Sequence, residues 1–307
     1  YSARQASIDR EVAIKMLRPQ MNDNESMRRK FLSEAAVTGE LDHPNIVPIY
    51  DLGQNAAGEL FYSMKKVQGT PWSKVIATTS LLDNITILMK VADAVAFAHA
   101  RGVVHRDLKP ENVMLGDYGE VLVLDWGLAV ATDGHRETPN VALAYNVAGT
   151  PAYMSPELAY GPMDAIGKHS DVYLLGAILY EIVTGRPPHT GDSGRACLAA
   201  AVRNEIVPTE IRGELVDIAR KAMSTASADR HPSVQAFQDA IRQYQAHSES
   251  ISLCEKAQED LESATRSDDY QDFARAVFGF EEAYALWSGN GTAFKGITQS
   301  KLRYASS

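Results

Sequence analysis

The sequence predicts an α+β fold in two unequal lobes, followed by a helical hairpin. Three observations predict it. Alternating stretches, "REVAIKML" and "ELFYSMKKV", bracket one helix-like segment within residues 1–67. After a turn-rich joint, "QGTP", helical periodicity takes over through residues 68–247. From 248 to 307 the polar clusters disappear, and Tyr270, Phe273, Val277, Phe280 and Tyr284 recur at steps of three and four, as one apolar helix face requires.

Taken in order, "NESMRRKFLSEAAVTGELD" (24–42) carries helix formers with Met27, Phe31, Ala35 and Thr38 at helical spacing. Pro44 in "HPNIVPIYDLG" stops that helix and leads into extended chain. "LLDNITILMKVADAVAFAHARG" (81–102) reads as a helix ending at Gly102. The apolar runs "NVML" and "EVLVLDWG" around "GDYG" read as a hairpin. "VYLLGAILYEIV" (172–183) is apolar throughout but contains Glu181 and falls short of the ~20 residues that span a membrane. A buried helix is the expectation there. Residues 164–245 are otherwise helical, with joints at "TGRPPHTGDSG" and "RHPS".

At 307 residues the chain is long enough to bury a large core. A formal net charge of −9 argues against a chain held mainly by nucleic-acid phosphates. Cys197 and Cys254 are the only cysteines, far apart and without metal-ligand spacing, so neither a disulfide framework nor a zinc site is expected and a reducing compartment fits. The sequence begins at Tyr1 without a signal-peptide pattern and is expected to be part of something longer.

The chemistry concentrates in "HRDLKPEN" (105–112). An imidazole, cations, carboxylates and an amide around one proline make a poor core segment and a poor helix. A carboxylate at Asp107 to accept a hydroxyl proton, an amide oxygen at Asn112 to hold a divalent metal, and an ammonium at Lys109 to face a transferring phosphoryl group would account for the mixture. Asp125 ends an apolar strand just before Gly127, where a strand fixes the carboxylate and glycine permits a sharp turn. With Asn112 it supplies two oxygen ligands from opposite arms of one hairpin, suited to magnesium. Lys15 in "VAIK" and Glu34 in the first helix, paired across strand and helix, would hold an ammonium where ATP phosphates sit.

Together "VAIK", Glu34, "HRDLKPEN", "DWG" and "GTPAYMSPE" resemble the eukaryotic-type serine/threonine protein kinase family, in order and spacing, from about residue 1 to 245. The resemblance implies a two-lobed kinase fold with N-lobe 1–67, C-lobe 68–247 and an extension, 248–307, similar to part of a tetratricopeptide-type helix pair. It implies ATP and Mg2+, with Asp107 as catalytic base, Lys109 stabilising the transferred phosphoryl charge, Lys15 held by Glu34 on the α- and β-phosphates, and Asn112 and Asp125 on the metal. Adenine would lie between Ala13 and Met114, with Met64 as gatekeeper and the backbone of Lys65 to Val67 as hinge, the two hinge lysines pointing to solvent. Thr132 or Thr138 would be an activation-segment phosphosite pairing with Arg106. Asp171 would anchor the catalytic-loop backbone, and Glu157 and Arg230 would form a buried ion pair. Lys109 and Thr150 favour Ser/Thr over Tyr as acceptor. Protein substrates are expected, along with a protein or peptide partner at the tail and no nucleic acid. "GTPAYMSPELAYG" is similar to bacterial members, which implies a cytoplasmic location in proteins that often continue into a membrane segment.

Two departures bear on this. No G-x-G-x-x-G precedes Lys15, and Trp126 stands where the family more often has phenylalanine. The first feeds a rival reading, a catalytically silent nucleotide-binding or scaffold domain. A small-molecule kinase of related fold is a second rival, which "GTPAYMSPE" disfavours.

Overall fold

The computed structural model describes residues 1–131, 149–267 and 270–304. They divide into two compact units, 1–238 and 239–307.

The first unit opens with a four-stranded antiparallel sheet of β1 (Ser2–Gln5), β2 (Arg10–Met16), β3 (Ile49–Gln54) and β4 (Leu60–Lys65), in the order β1-β2-β4-β3. Its single helix α1 (Glu25–Glu40) starts where Asn24 Oδ1 accepts the Met27 N–H, which satisfies one of the open amides of the first turn. Phe31 and Ala35 from α1 meet Leu60 and Tyr62 from β4 in a small core. Met27 lies at the margin, 37% exposed, and the face it was expected to extend buries Glu34 instead.

Past β4 the segment Gly69–Pro71 forms a strand, β5, where the sequence reads as a turn-rich joint. It lies at the edge of a three-stranded sheet with β7 (Val113–Gly116) and β8 (Val121–Val123), the hairpin expected from "NVML" and "EVLVLDWG". An edge strand tolerates the missing N–H of Pro71. β6 (Val103–Val104) pairs with β9 (Val130–Ala131).

The remainder of the unit is helical: α2 (Leu81–Ala100), α3 (Pro156–Tyr160), α4 (Lys168–Thr184), α5 (Gly194–Val202), α6 (Glu214–Ala222) and the start of α7 (Val234–Ser267). From Val172 to Tyr180 α4 is buried on every side, as an all-round apolar helix must be. It packs on α6 so closely that a Cβ added to Gly176 would lie 2.4 Å from Ala222 Cβ. Its C-terminus stops at Gly185, whose φ of 76° suits glycine. No helix among the described residues is long and apolar enough to cross a membrane.

In the second unit the rest of α7 continues through the boundary drawn from sequence at 247/248 and is followed by α8 (Tyr270–Leu286) and α9 (Gly291–Tyr304). Phe273, Ala276, Phe280 and Ala283 of α8 are buried with Ala257, Leu261 and Ala293, and Tyr284 is partly buried beside them. The small residues allow close approach: a Cβ on Gly296 would lie 2.4 Å from the Phe280 ring.

Candidate active site

The loop between β6 and β7 is shaped by one carboxylate from the buried helix. Asp171 accepts the backbone N–H of His105 at 2.8 Å and of Arg106 at 2.9 Å, while His99 Nε2 sits 2.8 Å from the same group. Asp171 is fully buried, which would raise its carboxyl. The hydrogen bond and charge of His99, with the loop amides, outweigh that and hold it below the ordinary value. Arg106 is thereby kept at φ 74°, an uncommon conformation for a non-glycine residue. His105 takes the Asp107 N–H at Nδ1 (3.2 Å), so its Nε2–H donates to the Leu124 carbonyl at 3.2 Å. This ties the loop to the segment carrying Asp125.

So positioned, Asp107 is buried and surrounded by donors. Lys109 Nζ is 3.0 Å from Asp107 Oδ2, the Thr150 N–H donates to Oδ1 at 3.1 Å, and Asn112 Nδ2 donates to the Asp107 carbonyl at 2.8 Å and to Oδ2 at 3.2 Å. Lys109 also hydrogen-bonds Thr150 Oγ1. The Asn112 NH2 is thus committed to Asp107, which leaves its amide oxygen facing away from that residue. Gly149 lets the chain come this near: at φ 127°, an added Cβ would lie 2.8 Å from Met154 Cε and 3.2 Å from Asp107 Oδ1.

A second group centres on Lys15. Its ammonium pairs with Glu34 and reaches Asp125 Oδ1 at 3.3 Å. Burial would lower the Lys15 value, but the charges of Glu34 and Asp125 prevail and keep it raised. Partial burial would likewise raise Asp125. Lys15 beside it, helped by His105 and Lys109, holds that carboxyl below its ordinary value. The Tyr62 hydroxyl donates to Glu34 Oε1 at 2.7 Å, and burial together with that carboxylate pushes the phenol upward. Gly127 lies close to both carboxylates: a Cβ there would stand 2.9 Å from Glu34 Oε2 and 3.2 Å from Asp125 Oδ1, so a larger residue would have to displace them.

The structure therefore brings Lys15, Glu34 and Asp125 into one cluster and Asp107, Lys109 and Asn112 into another, with Thr150 in the second. Ala13 pairs in register with Met64 between β2 and β4, and Met114 lies on β7. Lys65 and Lys66 do not simply point to solvent: they pair with Glu120 at 2.6 Å and Glu11 at 2.7 Å. The Glu157 carboxylate meets Arg230 through both oxygens, at 2.6 and 2.9 Å. Arg106 has no carboxylate ion pair among the described residues, and its buried Nε lacks a hydrogen-bond partner. Thr132 and Thr138, expected to face it, lie outside the described residues. Sequence reading missed Tyr62, though its inward place in the alternating "LFYSMK" was a signal. It also missed His99.

The protein kinase domain family model matches residues 1–276. The chain belongs to that family. It is 34% identical over 256 residues to Serine/threonine-protein kinase pkn3 of Myxococcus xanthus, an alignment covering 79% of this chain and 46% of that protein. To Serine/threonine-protein kinase PknD of Chlamydia trachomatis serovar L2b it is 31% identical over 283 residues, covering 80% and 30%. To PknD of Protochlamydia amoebophila it is 34% identical over 271 residues, covering 77% and 27%. The chain thus spans less than half the length of these bacterial relatives.

Proposed function

We propose that this domain transfers the γ-phosphoryl group of ATP to serine or threonine hydroxyls of protein substrates. The observation that carries the proposal is the donor-ringed Asp107 carboxylate, in the same unit as an ammonium, Lys15, held between Glu34 and Asp125. Phosphoryl transfer asks for positioning and charge neutralisation more than covalent help, and these are the groups that supply both.

In this reading Asp107 orients the acceptor hydroxyl and takes its proton, while Lys109, bridging Asp107 and Thr150, neutralises charge on the moving phosphoryl. Lys15, braced by Glu34, binds the α- and β-phosphates. The Asn112 oxygen and the Asp125 carboxylate would hold magnesium, whose bound charge offsets that of the phosphate oxygens; one amide and one carboxylate fit a hard cation that takes its other ligands from water and phosphate. Adenine is assigned to Ala13, Met114 and Met64. The Lys65 N–H already donates to the Pro48 carbonyl at 3.1 Å, so of the Lys65 to Val67 hinge the free donors are those of Lys66 and Val67 among the described residues. Arg106, whose Nη1 meets only the Leu128 carbonyl and whose Nε has no partner among the described residues, supports the expectation that a phosphate on the activation segment orders it through charge-assisted hydrogen bonds. For the unit 239–304, exposed Phe278, Phe294 and Leu302 support a protein- or peptide-binding role.

The test is phosphate incorporation into a generic basic protein with ATP and magnesium, beside an Asp107→Asn control. Loss of a positioned base is worth roughly 10²- to 10⁴-fold in rate, so the control should fall by that range. Wild-type incorporation no higher than the control would favour the silent nucleotide-binding reading.

A further inference from the structure

His189, in the "RPPHTG" joint after α4, is fully buried and is used by nothing in the catalytic scheme. Its contacts converge on the loop that touches Asp107. The His189 N–H donates to the Ala152 carbonyl at 3.1 Å, and its ring Nε2 lies 3.1 Å from the Met154 carbonyl and 2.8 Å from the Tyr173 hydroxyl. On the other side Nδ1 is 3.0 Å from the Glu205 carbonyl.

The position of the ring proton follows from the neighbours. Asn204 uses its NH2 on the Met223 carbonyl at 3.0 Å and on Thr225 Oγ1 at 2.8 Å, so its oxygen must face Tyr173. The Tyr173 hydroxyl gives its proton to that oxygen at 2.6 Å. Only lone pairs remain on Tyr173 for His189, and the Met154 carbonyl offers only lone pairs as well. Nε2 must therefore be the protonated nitrogen, donating to both. In the neutral ring, Nδ1 then faces the Glu205 carbonyl without a proton.

We propose that His189 is a positioning residue for phosphoacceptor binding: its Nε2–H, with its backbone N–H, clamps residues 152–154 and so holds Thr150 against Asp107 and Lys109. The inference rests on the kinase reading above. A proton taken up at Nδ1 adds a tie to Glu205, so acid tightens the clamp rather than opening it. Burial opposes that uptake and places it below the ordinary histidine value; the two carbonyls oppose the burial in part. The titratable groups around the ring are few. Tyr173 lies on α4, with the Arg230 guanidinium over its ring and Glu157 behind that; Glu205 is paired with Arg203; and the Cys197 thiol on α5 donates to the His189 carbonyl.

The first measurement is nitrogen NMR of the imidazole in the full chain. The proposal expects the Nε2–H tautomer at neutral pH, and an Nδ1–H tautomer overturns it. The second compares His189→Phe, which keeps a ring but no donor, with His189→Gln, whose amide can reproduce the Nε2 donor. Loss of one buried donor should raise KM for a protein substrate roughly five- to tenfold in the Phe variant, leave ATP affinity unchanged, and be rescued by Gln. KM for the protein substrate should also fall as the ring titrates, and that response should vanish in the Gln variant. An unchanged KM in the Phe variant, or equal effects on ATP and protein, overturns the clamp. Amide exchange at Tyr153 and Met154, faster in the Phe variant, judges the clamp without any turnover. A wild type that transfers no phosphate while its 153–154 amides stay protected would count against the kinase reading and for the clamp.

Discussion

Replacing Glu157 with glutamine tests the energetic logic of the larger lobe most directly. The substitution keeps shape but removes the charge facing Arg230, whose side chain is wholly buried. In the wild type the Glu157 oxygens take Arg230 Nη1 at 2.6 Å, Arg230 Nη2 at 2.9 Å and Ser170 Oγ at 2.9 Å. After substitution the glutamine oxygen can still accept one guanidinium N–H, and the carbonyls of Ser224, His169 and Thr225 and the Tyr173 ring remain, but none of these carries a countercharge. Stranding one partner of a buried pair typically costs ~3–5 kcal/mol. Since the Glu157 side chain retains 12% exposure, some water reaches the site and the lower half of that range is expected. The assay is urea unfolding of wild type, Glu157→Gln, Arg230→Met and the double variant. Each single change should lose about 3 kcal/mol, and the double should lose clearly less than their sum, because the second substitution removes the orphaned charge. The pH dependence gives an independent check. Burial alone would raise the Glu157 carboxyl, but the hydrogen bonds and charge of Arg230 hold it below its ordinary value of 4.5. A depressed folded value means the contribution is complete above 4.5 and disappears as pH falls through the folded value; Glu157→Gln should abolish that component. A loss under about 1 kcal/mol in the single glutamine variant would refute the argument, since a stranded buried charge cannot be that cheap.

Other outcomes follow from the two site clusters. Lys15→Met should lower phosphoryl transfer about hundredfold, the scale of losing one preorganised electrostatic donor, and raise KM for ATP; an unchanged KM for ATP would remove Lys15 from the phosphates. Trp126→Phe should be tolerated unusually well for a core aromatic. The indole Nε1 is buried with no partner among the described residues, a desolvation penalty of ~1–3 kcal/mol that the substitution relieves. That relief offsets much of the lost packing, so a net loss above ~2 kcal/mol by thermal or urea unfolding would contradict the account.

The cluster around Asp107 was legible in the sequence because its residues are neighbours in the chain. Asp107, Lys109 and Asn112 share one loop, and their mixture of charges fits no core and no helix. Asp125 was legible because an apolar strand ending in Asp and then a glycine turn has few structural uses. Tyr62 and His99 were not, because each acquires meaning from a partner 28 or 72 positions away. An alternating strand says that Tyr62 faces inward, but not that a carboxylate awaits it. Gly69–Pro71 misled for a local reason: glycine and proline disfavour strands in isolation, and only an edge position beside β7 makes them acceptable. The hinge lysines read as solvated because Glu11 and Glu120 come from other strands and turns.

The single carboxylate of Asp171, holding two consecutive amides of the loop that bears Asp107, has an engineering consequence. Grafting the loop into another scaffold, or swapping it between homologues, will transplant Asp107, Lys109 and Asn112 without the carboxylate that fixes the backbone before them. A functional chimera has to exchange helix α4 and the loop together, as one inherited module.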